Sequence, residues 1–476
     1  PWLEAGAEDG LAARVYRETE GLPFFVAEYL AAIGSGALGT EAAEWSPPGG
    51  VRDLLRSRLL GVSDAGLQLL AAAAVVGRSF DFETLREVSG RSEEETIAGL
   101  EELIAQGLIQ EMRDGAARGH LAYDFSHEKL RSLIYDEASL ARRRLLHRRA
   151  AEALARRAGR AHGALPSQIA RHELLAGNEA AAAASFRAAG ERARDLYAHS
   201  EALDHFRTAL GLGYPDSAGL HEAIGDALTA LGEYGAALSS YATAAAHGAP
   251  GTLAGLEHKL STVYARRGEW EMAEAHIQAA LVALDAAGES EVMGRGQEDG
   301  AAGTRAAVYA DWSLIVRHQG RLDQAQELAE QALALAEAGH DEHALAQAHN
   351  MLGILATGRH DQTAAQRHLE RSLELAERLD DAGARAAALN NLALARSAGG
   401  DVARALTLTE EALRLCAAQG DRHHEAALHN NLADLLHAAG RADEAMEHLK
   451  QAVSIFAEIG VEAGDVQPEI WKLAEW

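Results

Sequence analysis

His127 stands in the run Phe125-Ser126-His127-Glu128, followed by Leu130, Arg131, Ile134 and Tyr135. An imidazole at the start of a helix can donate to a phosphate or another anion, or simply cap the helix it opens. Pro23 follows Gly21-Leu22 at the start of the amphipathic stretch Phe24–Ile33, a place where proline suits a first helical turn. Asn350, Asn390 and Asn430 are 40 residues apart. Amides in such a row can donate to and accept from an extended peptide backbone, or they can bond locally within a repeat. The 22 histidines include the neighbours His340/His343 and His423/His424/His429, but no Cys or carboxylate spacing completes a set of three or four metal ligands, so they read as surface polar residues and no metal is expected. Cys416, the one cysteine, lies between Leu413, Leu415 and an alanine pair and reads as a small core residue. No GxxxxGK[ST] loop, HExxH, Cys-x-x-Cys or nucleophile elbow occurs, and none of Lys129, Lys259, Lys450 and Lys472 sits in a Gly-rich turn. The chain is therefore not expected to be an enzyme or to hold a cofactor by itself.

The elements that must position these residues are helical. Of 476 residues 48% are hydrophobic but only 5% aromatic, and Ala and Leu dominate, a composition that favours helices and starves sheets. The single cysteine and the lack of a signal segment suit a reducing, cytoplasmic setting, and no apolar run is long enough for a bilayer. The chain opens on Pro1, as a piece of a longer chain would. The net charge of −27 is uneven: residues 1–165 hold 20 basic and 25 acidic side chains, and the remainder holds 24 and 46. A phosphate backbone would meet a repulsive field over that second part, so no nucleic acid is expected there.

From Ala189 onward one template repeats: an apolar anchor, Gly at +8, Ala at +13, a larger residue at +17 and Ala or Ser at +20. The anchors are Ala189, Ile224, Leu260, Trp312, Leu352, Leu392 and Leu432. Each unit reads as two amphipathic helices around a turn, with small residues at +13 and +20 on one face for close approach. The pattern resembles the tetratricopeptide repeat. The later units are 40 residues and not 34, which predicts longer helices and no added element. A shorter unit with Ile169, Gly177 and Ala182 precedes the set, 288–303 reads as a mobile Gly- and acid-rich insertion, and 466–476 as a capping helix. The resemblance implies a right-handed superhelix in which Asn350, Asn390 and Asn430 face a groove for a protein, a peptide or a small effector, while Asn391 and Asn431 pack between helices.

Before the repeats, helices are predicted at Val51–Leu60, Ala65–Val76, Phe82–Val88 and Glu93–Gln106, with strands at 107–112 and 120–125 around a turn at Asp114-Gly115. This order predicts a small winged helix, 49–136, in an otherwise all-α chain. The helix that would enter DNA, Glu93–Gln106, carries five Glu and no basic residue, so direct nucleic-acid binding is not expected. Within the linker stretch 137–165, eight arginines between Arg142 and Arg160 accompany Glu152 alone. That helix could bind nucleic acid or an anion, or serve as a linker paired to acidic neighbours, with Leu145, Leu146, Ala150 and Leu154 as its buried stripe.

The runs TEGLPFFVAEYLAAI, FSHEKLRSLIY and ARRRLLHRRAAEAL together resemble the carboxyl-terminal part of bacterial signal-transduction ATPases with numerous domains. The resemblance implies that 1–48 is the end of a nucleotide-binding module, that Pro23 lies against adenine, and that His127 contacts the phosphates of ADP or ATP in the intact protein. Glu128 stands where the plant and animal forms of the motif have Asp. The resemblance favours the linker reading of 137–165 and gives 166–476 as the repeat sensor of a transcriptional regulator, its upstream ATPase module in the same chain. A repeat scaffold for protein assembly is the other reading.

Overall fold

The computed structural model describes residues 8–35, 38, 45, 47–112, 122–157, 165–291 and 298–459. The chain divides into two compact units, 1–185 and 186–476, each with its own core.

The first unit begins with α1 (Glu8–Thr19), α2 (Pro23–Gly34), α3 (Gly49–Leu59) and α4 (Asp64–Val76), then β1 (Ser79–Asp81), α5 (Phe82–Ser89), α6 (Glu93–Ala105), β2 (Ile109–Met112), β3 (Ala122–Phe125), α7 (Glu128–Glu137), α8 (Leu140–Ala155) and α9 (Pro166–Ala176). Helix starts follow local chemistry. The Ser63 hydroxyl accepts from Gly66 N–H, Asp81 caps α5, and Ser92 with Glu95 forms a reciprocal capping box. α4 is buried on nearly all sides because Leu69, Leu70 and its alanine run form the centre against Leu85, Leu103, Phe125 and Leu130. The expected strand pair is present, β2 antiparallel to β3, and a third strand joins it: β1 pairs with the other edge of β3, placing Phe80 opposite Tyr123. At three residues β1 is too short for a period-2 pattern to reveal it. The predicted turn at Asp114-Gly115 lies outside the described residues.

The unit boundary falls inside α10 (Glu179–Asp195), so Ile169, Gly177 and Ala182 of the short unit lie in the first unit. In the second unit α11 (His199–Gly211) follows α10, and the chain continues as helix pairs: α12 (Ser217–Leu231) with α13 (Tyr234–His247), α14 (Leu253–Arg266) with α15 (Trp270–Glu291), α16 (Glu298–His318) with α17 (Leu322–Ala338), α18 (Glu342–Gly358) with α19 (Gln362–Arg378), α20 (Ala382–Ala398) with α21 (Val402–Gln419), and α22 (Arg422–Ala438) with α23 (Ala442–Ile459). In the 40-residue units the helices run 17 or 18 residues, against 13 to 15 in α11–α14, so the extra length went into the helices. Of the predicted insertion 288–303, α15 runs to Glu291 and α16 starts at Glu298, and 292–297 lie outside the described residues. The predicted capping helix 466–476 lies outside the described residues.

The template positions have physical roles. All seven residues at +8 adopt the left-handed conformation, including Tyr197 and His360, which stand where the others have Gly. Ala202, Ala237, Ala273, Ala325, Ala365 and Ala405 at +13 are fully buried. The residue after each anchor is small as well, which the template omitted. A Cβ on Gly190, Gly225 or Gly353 would fall onto Phe206, Tyr241 or Leu369, the +17 side chains of the same units. At Ser261 and Ser313 the hydroxyl instead donates across the pair, to Ala273 O at 2.8 Å and Ala325 O at 2.6 Å.

The array closes on itself. The Arg266 guanidinium at the end of α14 donates to both carboxylate oxygens of Asp421, at 3.3 and 3.0 Å, across 155 positions of sequence. Beside it the Tyr234 hydroxyl is 2.9 Å from His423 Nδ1, His424 Nδ1 is 2.8 Å from Asp421, and His199 Nε2 donates to Gln419 O at 2.8 Å. Ile459 packs onto Gly232. The nearby guanidinium holds Asp421 well below the ordinary carboxylate range, whereas burial outweighs Asp421 at His423 and His424 and pushes both below the usual imidazole value.

A second device recurs inside repeats. His349 and His368 meet Nδ1 to Nδ1 at 3.0 Å, as do His429 and His448 at 2.8 Å, in the same register two units apart. The unit between them has Leu389 and Leu408 in that place, both buried. In the first unit His147 and His172 form the same contact at 2.9 Å. Burial, with the partner ring second, pushes His349, His429 and His147 to about 4, and burial pushes His172 to about 4.

Gly225→Val should lower stability by about 1–3 kcal/mol through overpacking against Tyr241, seen as a lower thermal midpoint. Arg266→Met should cost up to about 3–5 kcal/mol because it strands a mostly buried carboxylate, and Arg266→Met with Asp421→Leu should recover much of that loss in denaturant melts. His147, His172, His349 and His429 bind protons in the unfolded chain, near pH 6.5, before they do in the folded one, near pH 4. Their contribution is therefore complete above pH 6.5 and declines as pH falls toward 4. Urea midpoints at pH 7.5 and 5 should show this decline, and His349→Leu with His368→Leu, the pair already used in the neighbouring unit, should lessen it by that pair's share.

Candidate functional site

Helices α16, α18 and α20, the first members of three successive repeats, line a cavity of about 660 Å³. Its floor is apolar, built from Ala310, Leu314, Met351 and Ile354, and Asp311, Gln347 and Asn350 present polar groups to it. Asp341 and Asp381 reach it from the helix starts: each caps its helix by accepting from the N–H three residues on, at 3.0 Å from Ala344 and 2.9 Å from Ala384. Asp311 is held on both oxygens, by His258 Nε2 and Gln347 Nε2, each at 2.6 Å. The far wall comes from the closure: Cys416, Gln419, Asp421 and His424 line the same space. A second hollow, about 740 Å³, lies beside His349 and His368, where Arg367, Arg371, Glu370 and Glu374 bring charges of both signs.

The asparagine row differs from its expectation. Asn350 lines the cavity, and its Oδ1 accepts from Asn391 Nδ2 at 3.0 Å. Asn390 does not face a groove: it is fully buried, and its Oδ1 accepts from Asn431 Nδ2 at 3.0 Å while its own Nδ2 has no partner. Asn430 is half-buried and outside the cavity lining. The amides thus form rungs between repeats, and one of the three reaches open space. Asn391 and Asn431 are buried between helices, and Cys416 is buried with its thiol pushed up to about 12 by desolvation. The carboxylates at 341, 381 and 421 were visible as a 40-residue period. Asp311 was not, because Met351 and Asn391 occupy its place in the next units.

In the first unit the structure brings His127 beside the turn that carries Pro23. His127 Nδ1 is 3.5 Å from Glu20 Oε2, and its ring centroid is 6.0 Å from that of Phe25. Pro23 is exposed at the start of α2, and His127 precedes α7 without capping it through its side chain. Glu20, in the left-handed conformation at φ 51°, extends its carboxylate over the start of α7. There it accepts from Arg78 Nη1 at 3.1 Å and from Glu128 N–H at 3.4 Å. Ser126 Oγ and His127 Nδ1 are buried without a hydrogen-bond partner. Donors thus surround one acidic side chain at the start of α7. α6 carries its glutamates without a basic residue, as read from the sequence, and just past the end of α8 Arg156 and Arg157 pair with Glu87 at 2.7 and 3.2 Å. Among the described residues no group of three or more His, Cys, Asp or Glu is placed to hold a metal, and no helix is long and apolar enough to cross a membrane.

The tetratricopeptide-repeat family model matches residues 304–378 and 384–458. Among curated proteins none matches the chain. Of solved structures, it is similar to a signal-transduction ATPase with numerous domains carrying a tetratricopeptide-repeat sensor, from Pyrococcus horikoshii (12% identity, TM-score 0.49, 97% of this chain and 68% of that one). It is also similar to a Rap protein in complex with competence and sporulation factor (14%, 0.48, 83% and 98%). A third is the Rap conjugation gene regulator of plasmid pLS20 in complex with the Phr* peptide (16%, 0.47, 85% and 98%). The family match identifies the last four units, within 304–378 and 384–458, as tetratricopeptide repeats, and the earlier units share their paired helices and left-handed turns at +8.

Proposed function

We propose that this chain is the sensor and relay part of a bacterial signal-transduction ATPase with numerous domains, a cytoplasmic transcriptional regulator. Its repeats take up a protein, a peptide or a small effector, and its first unit passes that event to a nucleotide module. The observation that carries the reading is the contact of His127 with Glu20 and Phe25, the residues that flank the Gly21-Leu22-Pro23 turn. The three-helix, three-stranded part of that unit serves in this reading as the family's winged helix.

The donors around Glu20 fit a phosphate group: the His127 imidazole, the Arg78 guanidinium and the N–H groups that open α7. ADP or ATP in the intact protein would be held there through its phosphates, with Pro23 offering an apolar face to the base. Glu20 then competes with the phosphates for the same donors. The nucleotide would supply the charge that draws the closed state together, while His127 and Arg78 orient it. A plain assembly scaffold would use the same repeat groove, but it has no need of the donor cluster.

In the intact protein His127→Ala should weaken ADP binding about tenfold, the worth of a hydrogen bond to a charged group, and raise basal output. Glu20→Gln should tighten ADP, since a neutral amide competes less well for the same donors. Both are read by equilibrium titration with ADP; affinities that stay at the wild-type value in both variants would count against the relay role and favour the scaffold.

A further inference from the structure

The occupant of the repeat cavity can be narrowed by its charge. Four carboxylates line the space, Asp311, Asp341, Asp381 and Asp421, and no lysine or arginine does. Asp421 is already matched, bonded to both arms of Arg266 and to His424. The other three are met by weaker partners. Asp311 has the side chains of His258 and Gln347, Asp341 has the Ala344 N–H, and Asp381 has the Ala384 N–H with the exposed His343 ring at 3.4 Å.

A ligand that fills the cavity takes these carboxylates out of water. If it is neutral, their lost hydration is not returned, and if it is anionic, repulsion is added. A cation converts the same desolvation into an attractive pair. The apolar floor of Ala310, Leu314, Met351 and Ile354 adds a second requirement, because it rewards a ligand whose charge sits at the end of an aliphatic stem. At about 660 Å³ the space is in the ordinary range for a small ligand or a few residues of peptide. Asn350 has its Oδ1 committed to Asn391, which leaves its Nδ2 donors for a backbone carbonyl.

We infer that the cavity takes a short cationic peptide segment, an arginine or lysine stem lying on the apolar floor with its charged head among Asp311, Asp341 and Asp381. This rests on the reading of the repeats as the ligand-binding part of the chain, and it adds the chemical class of the ligand.

The whole chain can be tested with a positional-scanning pentapeptide library. Arginine or lysine should be enriched at one position or more, and binding of the selected peptides should weaken as salt rises. Asp311→Asn, Asp341→Asn and Asp381→Asn combined should lower affinity for those peptides about tenfold or more. Asparagine caps helices as well as aspartate, so the stack should keep its melting profile. Asp361→Asn, which changes a cap of the same kind outside this cavity, should leave affinity unchanged. Selection of neutral or acidic peptides, or the same basic preference in the triple variant, would overturn the charge assignment and leave the groove as a binding site. Retention of no peptide at all would overturn both.

Discussion

The repeat unit depends on how closely two helices can approach each other. Alanine at +13, alanine or serine at +20 and a glycine, serine or alanine after the anchor remove the side chains that would hold the pair apart, and the +17 residue fills the remaining space. Everything in the second unit follows from that contact. The first helices stack in register, so Asp341, Asp381 and Asp421 come to the same end of successive helices. The inner faces of α16, α18 and α20 then share one cavity.

A stack held only by neighbours would be open at both ends. Here Arg266, Tyr234, His423 and Asp421 tie an early repeat to a late one, and the cavity wall is made partly of that tie. A buried ion pair of this kind is weak evidence for net stability, since its desolvation offsets most of its Coulomb energy. Its stronger effect is on geometry, because the charges are satisfied in one arrangement of the ends and stranded in any other.

Most of the local structure could be read from the residues. The anchors, the +8 turn and the +13 and +20 alanines recur often enough to outweigh single exceptions, and Tyr197 and His360 adopt the turn conformation because their neighbours in the template require it. In the first unit α3 to α6 begin and end close to their predicted limits, set by Ser63, Asp81 and Ser92 as caps. What could not be read depends on distance. The pairing of β1 with β3, the Arg266–Asp421 tie and the place of Asp311 join residues that share no local pattern. The asparagine row was visible, but its bonding was not: the amides of Asn391 and Asn431 reach to Asn350 and Asn390, which makes the row an internal ladder with one end in the cavity. The histidine pairs were missed for a related reason, since a surface reading of each ring alone gives no hint that its partner lies across the helix pair at hydrogen-bond distance.

The closure also bears on how such an array can change over generations. Open solenoids gain and lose units freely, since each added unit contacts only its neighbours. In this chain, inserting or deleting one unit between Arg266 and Asp421 would rotate and translate the later helices relative to α14. The guanidinium would then face a different residue. Unit number between those two positions is thereby fixed by geometry, and variation in length is confined to the segments that lie outside the ring.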